Sequence, residues 1–354
     1  MNIIKDEKKI KNKRLSIIVP CYKVEAYLPR CMDSLVNQTL TDIEIIAIND
    51  GSPDGCLDIL KDYQKRYPDK VVIIDKPNEG VWRGRTDGVR VAEGEYIGFV
   101  DSDDYVADDF AQSLYEKAKE TNADISVCGY DRIDLETGKL YSREMVKPAD
   151  KVIEIDKNPG ALLEMNGAPW NKIYRASLLK NMYQMENIPR VLDDMMFLQL
   201  VYINSEKITF VPKSLVYYMV RKGSIINTVK KEHLDSTYNA MVEVRRLYEK
   251  ERPELLDYVD ANAFLHLGIS LMYRMSEDKT ADFDEVLKRN TEVLNTYFPG
   301  WKNSEYIRLN YVLKNHGING KLWVVKKFYD AGLFKDFLKM YKFMINKIGI
   351  DIKW

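Results

Sequence analysis

Histidine and cysteine are scarce in this chain, which has three and four of them among 354 residues. All three histidines lie beyond residue 230, which argues against histidine-based catalysis. The cysteines show no C-x-x-C pair and no neighbouring histidine: Cys21, Cys31, Cys56 and Cys128. This pattern predicts reduced thiols of a cytoplasmic protein rather than a zinc site or a disulfide framework.

Long apolar runs and an excess of one charge are also missing. No run approaches the roughly 18 apolar residues that a membrane-spanning helix needs. The N-terminus, MNIIKDEKKIKNKR, is charged and lacks the apolar core of a signal peptide. The 53 basic and 54 acidic residues leave a net charge of -1, so nothing attracts nucleic acid to the chain as a whole. An anionic ligand would therefore need a local site.

Four β-prone runs alternate with helical patterns over about the first hundred residues. This order predicts an α/β fold, with a mostly parallel sheet and helices on both faces. Ligands of such sheets collect beyond the carboxyl ends of the strands, and each run here ends in polar or turn residues. The runs are LSIIVPCY, IEIIAIND, KVVIIDKPN and EYIGFVDSDD.

The pattern changes to long helical segments near residue 227. We therefore predict three parts: a basic N-terminal tail over 1–13, an α/β domain over 14–227 and an all-helical C-terminal region over 228–354.

Acidic residues are concentrated in YIGFVDSDDYVADDF, directly after an apolar run. An EF-hand beginning at Asp101 does not fit, because the loop lacks the glycine and the final acid that it needs. A solvated helix start accounts for Asp104 and for Asp108 or Asp109, but not for Asp101 and Asp103 at the strand end. The remaining interpretation is a Mg²⁺ or Mn²⁺ ion held by these two carboxylates, phosphate oxygens and water. The residues alone leave the choice open.

The segment EGVWRGRTDGVRVAEG carries small residues and cations on a helical pattern. Close packing of the helix on the sheet accounts for Gly84 and Gly88. Neither a P-loop nor a G-x-G-x-x-G motif is present. Arg85 could reach a phosphate, whereas a solvated helix face is an equally good account of Arg90.

A second acidic pair, Asp193 and Asp194, precedes the apolar helical run in PRVLDDMMFLQL. A helix cap followed by a first-turn acid explains the pair structurally. The functional alternative is a general base, which must stay ionised within hydrogen-bond reach of a substrate hydroxyl.

Several motifs in sequence order resemble the inverting family-two glycosyltransferases of bacteria, which have the GT-A fold. The likeness is dense over residues 14–110 and thinner to about 227. It rests on LSIIVPCY, NDGSPDG, YIGFVDSDDYVADDF, APWNKIY, LDDMMF and VYYMVRKGSI. The resemblance implies a GT-A catalytic domain that moves a sugar from a nucleotide-diphosphate donor with inversion.

The resemblance also implies roles on the donor side. The loop from Pro20 to Tyr22 would cradle the base and ribose, and Asp50 would bind the base. Asp101 and Asp103 match the D-x-D motif, in which Asp103 is the more direct metal ligand and Asp101 lies toward the ribose and the waters of the metal.

Further roles follow for the later motifs. Asp194 falls where the family has its catalytic base, and Asp193 replaces the glutamate that usually precedes it. Trp170, Asn171 and Asp193 would border the acceptor side. Arg221 lies in a loop that would close over the diphosphate.

Two departures from the family pattern concern the donor side. Asn49 replaces the first acid of the usual D-D-G-S, which removes one charge and keeps hydrogen bonding. Trp82 and Arg83 stand where small residues are expected, which we interpret as favouring an acidic or otherwise distinctive sugar or acceptor.

The last helical pattern has apolar residues at i, i+3, i+4 and i+7 from Phe334 to Ile348, with lysines on the other faces. Packing on its own domain or on a second subunit accounts for this pattern. The alternative is contact with an anionic membrane surface, since the family-two glycosyltransferases that this sequence resembles often extend lipid-linked glycans.

These observations predict a metal-dependent glycosyltransferase that uses Mn²⁺ or Mg²⁺ and a nucleotide-sugar donor, expected to be a UDP-sugar. The expected acceptor is a hydroxyl of a cell-surface glycan, a teichoic acid or a lipid-linked acceptor. The expected location is the cytoplasm or the inner face of the membrane, with no nucleic-acid partner and with a homo-oligomer left open. The alternatives are a catalytically silent binding or scaffold module with the same fold and a sugar nucleotidyltransferase.

Overall fold

The computed structural model of the chain describes residues 2–4, 13–221, 229–315 and 318–345. The predicted domain boundary at 227, His316 and the end of the predicted last helix lie outside the described residues. The chain divides into two compact units. The first comprises Met1–Ile155, Asn166–Gln184 and Phe197–Ser224, and the second Asp156–Met165, Met185–Met196 and Ile225–Trp354.

Within the described residues, eleven strands form one sheet in the first unit. In sheet order they run β1-β4-β3-β2-β5-β10-β7-β11-β6, with β8 paired to β7 and β9 paired to β11. Strands β1 to β11 span Asn2–Ile4, Leu15–Cys21, Ile43–Asp50, Val71–Lys76, Tyr96–Phe99, Tyr105–Val106, Ile125–Asp134, Leu140–Glu144, Val152–Glu154, Lys172–Arg175 and Lys207–Val220.

The centre of the sheet is parallel. Strand β2 lies between β3 and β5, and β4 extends the parallel set beyond β3. Strand β10 runs antiparallel to both β5 and β7, whereas β7 and β11 are parallel to each other. All eight residues of β3 are buried, as expected for a strand covered on both faces. The predicted GT-A type of sheet, mostly parallel at its centre, is confirmed.

In the first unit the helices alternate with strands along the chain, and in the second unit the described elements are mostly helices. A π-helix, Phe264–Leu271, joins α8 to α9. Helices α1 to α13 span Leu28–Val36, Cys56–Arg66, Val81–Val91, Phe110–Thr121, Ala176–Lys180, Asp193–Ile203, Leu234–Glu251, Leu256–Ala263, Met272–Met275, Phe283–Tyr297, Leu309–Lys314, Ile318–Asp330 and Phe334–Phe343.

Helix α3 packs closely on the parallel strands, as its glycines predict. A Cβ at Gly88 would lie 2.7 Å from a side-chain carbon of Ile18 on β2, so only glycine lets the helix approach this far. Trp82 on the same helix is 7% exposed and packs edge-on against Phe197. The interpretation of Trp82 as a donor-side aromatic is therefore wrong, because its ring belongs to the core.

In the second unit, helix α13 buries the apolar side of its pattern. Phe334, Phe337, Leu338 and Tyr341 are each at most 3% exposed. Packing within the chain thus accounts for the i, i+3, i+4 spacing over the described part of this helix. Among the described residues, no helix is both long and apolar enough to cross a membrane.

Candidate functional site

The carboxyl ends of β2, β3 and β5 lie at one edge of the sheet and bring the predicted donor-side residues to it. The hydroxyl of Ser102, after β5, donates to the carbonyl oxygen of Pro20 at 2.7 Å, which ties two of the three strand ends together. Tyr22 follows β2 and is 43% exposed, with the Lys23 ammonium 5.2 Å from the centre of its ring. An exposed aromatic ring beside a parallel-sheet edge can stack on a planar ligand.

Asp50, at the end of β3, holds the backbone of the loop that leads into α3. Its Oδ1 accepts the amide of Glu79 at 3.0 Å and its Oδ2 accepts the amide of Gly80 at 2.8 Å. The residue is 3% exposed. Gly80 has a φ of 87°, a conformation in which glycine is favoured over residues with a Cβ. Asp50 therefore shapes this loop, and its predicted contact with a base stays a prediction.

The D-x-D carboxylates each meet an arginine from a distant part of the first unit. Asp101 Oδ1 lies 3.2 Å from the guanidinium of Arg85, whose side chain is 4% exposed. Asp103 Oδ2 lies 2.8 Å from the guanidinium of Arg221, and its side chain is 28% exposed. A buried arginine cannot lose its charge, so Arg85 is a fixed cation beside the strand end. Sequence reasoning placed both arginines near a phosphate but did not predict these ion pairs.

Asp104 differs from its two acidic neighbours because it is 1% exposed. Its Oδ1 accepts the amide of Met219 at 2.8 Å. Burial raises the pKa of Asp104 well above its usual range, and the charges of Asp103 and Asp101 raise it further. The interpretation of Asp104 as part of a solvated helix start is therefore wrong. Helix α4 begins six residues later, at Phe110.

The strand-end acids suit a hard divalent cation that is completed by substrate. Asp101 and Asp103 are both partly exposed and offer oxygen ligands on one short loop. No cluster of three or more histidine, cysteine or acidic residues that could hold a metal occurs in the described part of the chain. Mg²⁺ and Mn²⁺ sites that use one or two carboxylates together with phosphate oxygens need no such cluster. The residues present therefore fit a metal that arrives with a diphosphate.

The predicted acceptor-side residues Trp170 and Asn171 lie in a buried network. The ring of Trp170 stacks on Tyr218 at 5.5 Å. Asn171 is fully buried, and its amide donates to the carbonyl oxygen of Cys128 at 2.7 Å. The buried ammonium of Lys172 donates to the Asn171 side chain at 2.7 Å. In this conformation Asn171 supports its loop, and direct contact of either residue with an acceptor stays a prediction.

Asp193 and Asp194 occupy the first turn of α6 in the second unit, and both are half-buried. Leu192, immediately before them, has a φ of 62°, a left-handed conformation that is unusual for leucine. Burial of its side chain to 9% exposure helps to hold this turn. The side-chain amide of Asn262 on α8 donates to the sulfur of Met195 at 3.5 Å, a contact within the second unit that packs the start of α6 on α8.

Arg274 is a cation beside this acidic pair that sequence reasoning missed. Burial lowers the pKa of its guanidinium, and the negative charge of Asp193 opposes this effect. The two residues are far apart in the sequence, and no motif links them, so no local signal could have identified the pair. The helix start thus combines two acids, a helix N-terminus and one half-buried arginine.

Comparisons with known proteins identify the family. A sequence model of glycosyl transferase family 2 matches residues 16–182. The uncharacterized glycosyltransferase EpsJ of Bacillus subtilis is 33% identical over 242 residues, which cover 64% of this chain and 68% of EpsJ. The chain belongs to the bacterial glycosyl transferase family 2. The predicted family is thereby confirmed.

Two other relatives of this family-2 chain are longer proteins. Glycosyltransferase GlyA of Streptococcus pneumoniae is 33% identical over 239 residues, covering 65% of this chain and 34% of GlyA. The poly(ribitol-phosphate) beta-glucosyltransferase of Bacillus spizizenii is 32% identical over 235 residues, covering 65% of this chain and 36% of that protein. The chain thus spans about a third of the length of these two relatives.

A solved structure shares the fold of this family-2 chain. S. aureus TarS 1-349 in complex with UDP-GlcNAc superimposes with a TM-score of 0.70 at 20% identity, covering 93% of this chain and 91% of that one. The fold is therefore the GT-A type with a helical C-terminal region.

Proposed function

We propose that this protein is a metal-dependent inverting glycosyltransferase that moves a sugar from a UDP-sugar to a hydroxyl of a cell-surface polymer. The observation that carries the proposal is the set of charges at the end of β5. Two partly exposed carboxylates, Asp101 and Asp103, lie against two arginines, Arg85 and Arg221. A metal-bound diphosphate requires carboxylates that bind the metal and, next to them, positively charged side chains that bind the phosphates.

The donor side would act mainly by positioning and by electrostatics. Asp101 and Asp103 would hold the metal, which when bound neutralises charge that develops on the leaving diphosphate. Arg221 would leave Asp103 and contact the diphosphate, because the charge of Asp103 would then be balanced by the metal. Arg85 is buried and would stay beside Asp101 throughout. Tyr22 and the Pro20 loop would contact the base and ribose.

The acceptor side would need a base. Asp194 at the start of α6 would take the proton from the acceptor hydroxyl as that oxygen attacks C1 of the sugar opposite the leaving group. One displacement of this kind inverts the configuration at C1. The N-terminus of α6 places the partial positive charge of the helix dipole next to this carboxylate.

The relatives support the classes of donor and acceptor. TarS binds UDP-GlcNAc in a fold shared with this chain, and a relative with 32% identity acts on poly(ribitol-phosphate). We therefore propose a UDP-sugar as the donor and a polyol-phosphate wall polymer or related surface glycan as the acceptor.

A thermal-shift panel of UDP, GDP, CMP and dTDP, each with and without Mn²⁺ or Mg²⁺, tests the donor side. A ligand at a hundred times its dissociation constant adds about 2.7 kcal/mol to the free energy of unfolding. We expect UDP with metal to raise the Tm by about three to four degrees in a chain of this length, and Asp103→Ala to abolish the rise. No shift with any nucleotide in the folded wild type would contradict the proposal.

The alternative of a silent binding module makes a different prediction for the same protein. Such a module binds UDP but releases no product from any UDP-sugar. A glycosyltransferase turns over the donor, and its Asp194→Asn variant loses turnover while it keeps UDP binding. Turnover that is unchanged in Asp194→Asn would contradict the assignment of the base.

Contact with a membrane surface stays a proposal for the exposed side of α13. Met340 and Phe343 are 44% and 57% exposed there, and Lys339 lies on the same helix. Replacing Met340 and Phe343 with serine should lower co-sedimentation with anionic vesicles and leave the Tm unchanged, because neither side chain is buried. Equal co-sedimentation of the variant and the wild type would contradict membrane contact at this surface.

A further inference from the structure

Asp104 is the acid of the DSDD loop for which the donor chemistry has no use. It is 1% exposed, so it offers no ligand to solvent or substrate. Its Oδ1 accepts the amide of Met219 at 2.8 Å, across 115 positions of the sequence. Its Oδ2 is buried and has no hydrogen-bond partner among the described residues. Burial of a carboxylate costs free energy, and among the described residues this one accepts a single backbone hydrogen bond. The hydrogen bond to Met219 is therefore important.

The hydrogen bond between Asp104 and Met219 extends the pairing of β6 and β11 beyond the last pair of residues. The two-residue strand β6 pairs antiparallel with β11, with Tyr105 opposite Tyr217. Strand β6 begins at Tyr105, and the side chain of Asp104 reaches Met219, two residues further along β11. The last turn of the DSDD loop is thereby fixed to the final residues of β11.

Arg221 follows Met219 by two residues and meets the neighbouring acid. Its guanidinium lies 2.8 Å from Asp103 Oδ2 and 5.4 Å from the centre of the Tyr27 ring. Asp103 and Asp104 therefore hold the same end of β11 by different means. Asp103 holds the Arg221 side chain by its charge, and Asp104 holds the main chain by accepting the Met219 amide with a carboxylate oxygen.

We propose that Asp104 is a positioning residue that fixes the end of β11 so that Arg221 reaches the D-x-D carboxylates and the donor diphosphate. The proposal rests on the proposed function, because it assumes that Arg221 serves a metal-bound diphosphate. Its chemical requirement is narrow. Asp104 needs an oxygen that accepts from Met219, whereas Asp103 needs a negative charge. Asparagine should therefore replace Asp104 but not Asp103.

Calorimetric titration of UDP in the presence of Mn²⁺ tests the proposal. We expect Asp104→Ala to weaken UDP binding about tenfold, because Arg221 loses its position. This is the range for loss of one charge-assisted hydrogen bond, here that of Arg221 to the diphosphate. Asp104→Asn should stay within about twofold of the wild type. Arg221→Gln should weaken binding about tenfold or more, and adding Asp104→Ala to it should cause no further loss.

Asp109→Ala is the matched control. It removes an acid five residues along the chain that pairs at 2.6 Å with Lys213, which lies on β11 six residues before Met219. It should leave UDP affinity unchanged. Hydrogen exchange supplies a second measurement that is independent of donor binding. The segment 215–221 should exchange faster in Asp104→Ala than in the wild type, Asp104→Asn or Asp109→Ala.

The outcomes separate the two claims. A wild type that binds no UDP with Mn²⁺ overturns the proposed function, and the positioning role with it. A wild type that binds, with Arg221→Gln weakened and Asp104→Ala unchanged, overturns the positioning role alone. Additive losses in the double variant, or a folded Asp104→Asn as weak as Asp104→Ala, also overturn it. If Asp104→Ala does not fold, the UDP affinities of Asp104→Asn and Asp103→Asn decide. Asp104→Asn keeps the oxygen acceptor that its site requires, whereas Asp103→Asn loses the negative charge that its site requires.

Discussion

Two acidic pairs in this protein stand at different kinds of chain ends, and their charges are compensated differently. Asp101 and Asp103 follow strand β5, and each meets an arginine, at 3.2 and 2.8 Å. Asp193 and Asp194 begin helix α6, where the N-terminal amides of the helix supply a partial positive charge.

The difference indicates what each pair can do. Strands have only small net dipoles, so acids at a strand end depend on cations from other elements. A cation supplied by a side chain such as Arg221 can be exchanged for a metal when a donor binds. The charge of a helix N-terminus cannot leave. In the proposed mechanism the strand-end pair exchanges Arg221 for a metal, whereas the helix-start pair keeps its compensating charge next to the proposed base.

Asp194→Asn should give the largest effect, because it removes the proposed base and leaves the donor side intact. We expect kcat to fall about 10³-fold, within the range for loss of a general base, with UDP affinity unchanged. Product formation from a UDP-sugar and calorimetric titration of UDP measure the two quantities.

Asp193→Asn is the control for that variant, since it removes the adjacent charge at the same helix end. Its effect on kcat should be at least tenfold smaller. Equal losses in the two variants would indicate that the helix start needs its total charge, and the assignment of Asp194 as the base would then be wrong.

Asp103→Asn tests the exchangeable pair. We expect product formation to fall about 100-fold, because the metal loses its more direct ligand and the diphosphate loses its compensating charge. The loss should be accompanied by weaker Mn²⁺ binding in an electron paramagnetic resonance titration. Normal Mn²⁺ affinity in the presence of UDP would contradict a metal site at the end of β5.

Arg274→Gln tests whether the helix-start pair depends on a side-chain cation as well. Because the helix terminus already supplies positive charge, we expect kcat to fall by only about three- to tenfold, with UDP affinity unchanged. A loss as large as that of Asp194→Asn would show that the two acidic pairs are compensated in the same way, and the contrast between them would fail.

The sequence predicted one acidic pair more completely than the other for a physical reason. Asp101 and Asp103 follow an apolar strand, so alternation and chain order place them at the sheet edge. Their arginines were candidates, but the ion pairs depend on how distant elements fold together. The role of Asp104 depends on Met219, 115 residues away, and no local pattern carries that information. Trp82 was assigned to the donor side because a helix of mixed composition does not reveal which side faces the core.

A third acidic site, at Asp54, extends the comparison to a carboxylate that accepts hydrogen bonds from uncharged donors. It lies in the loop after β3, where its Oδ1 accepts the Ser52 hydroxyl at 2.5 Å and its Oδ2 accepts the amide of Glu25 at 3.1 Å. Desolvation raises the pKa of Asp54, but hydrogen bonds from Ser52, Cys56 and the Glu25 backbone outweigh it and lower the pKa to about 2.

The direction of the pH effect follows from this lowered pKa. The ionised carboxylate stabilises the folded state above the unfolded pKa of about 3.9, and this contribution is lost as the pH falls toward 2. In Asp54→Asn that part of the acid sensitivity should disappear, so the difference in Tm between wild type and variant should shrink as the pH is lowered from about 5 to about 3. The effect is the smallest of the four because the loop is partly exposed. A Tm difference that stays constant over this range would mean that the uncharged donors around Asp54 do not stabilise its ionised form.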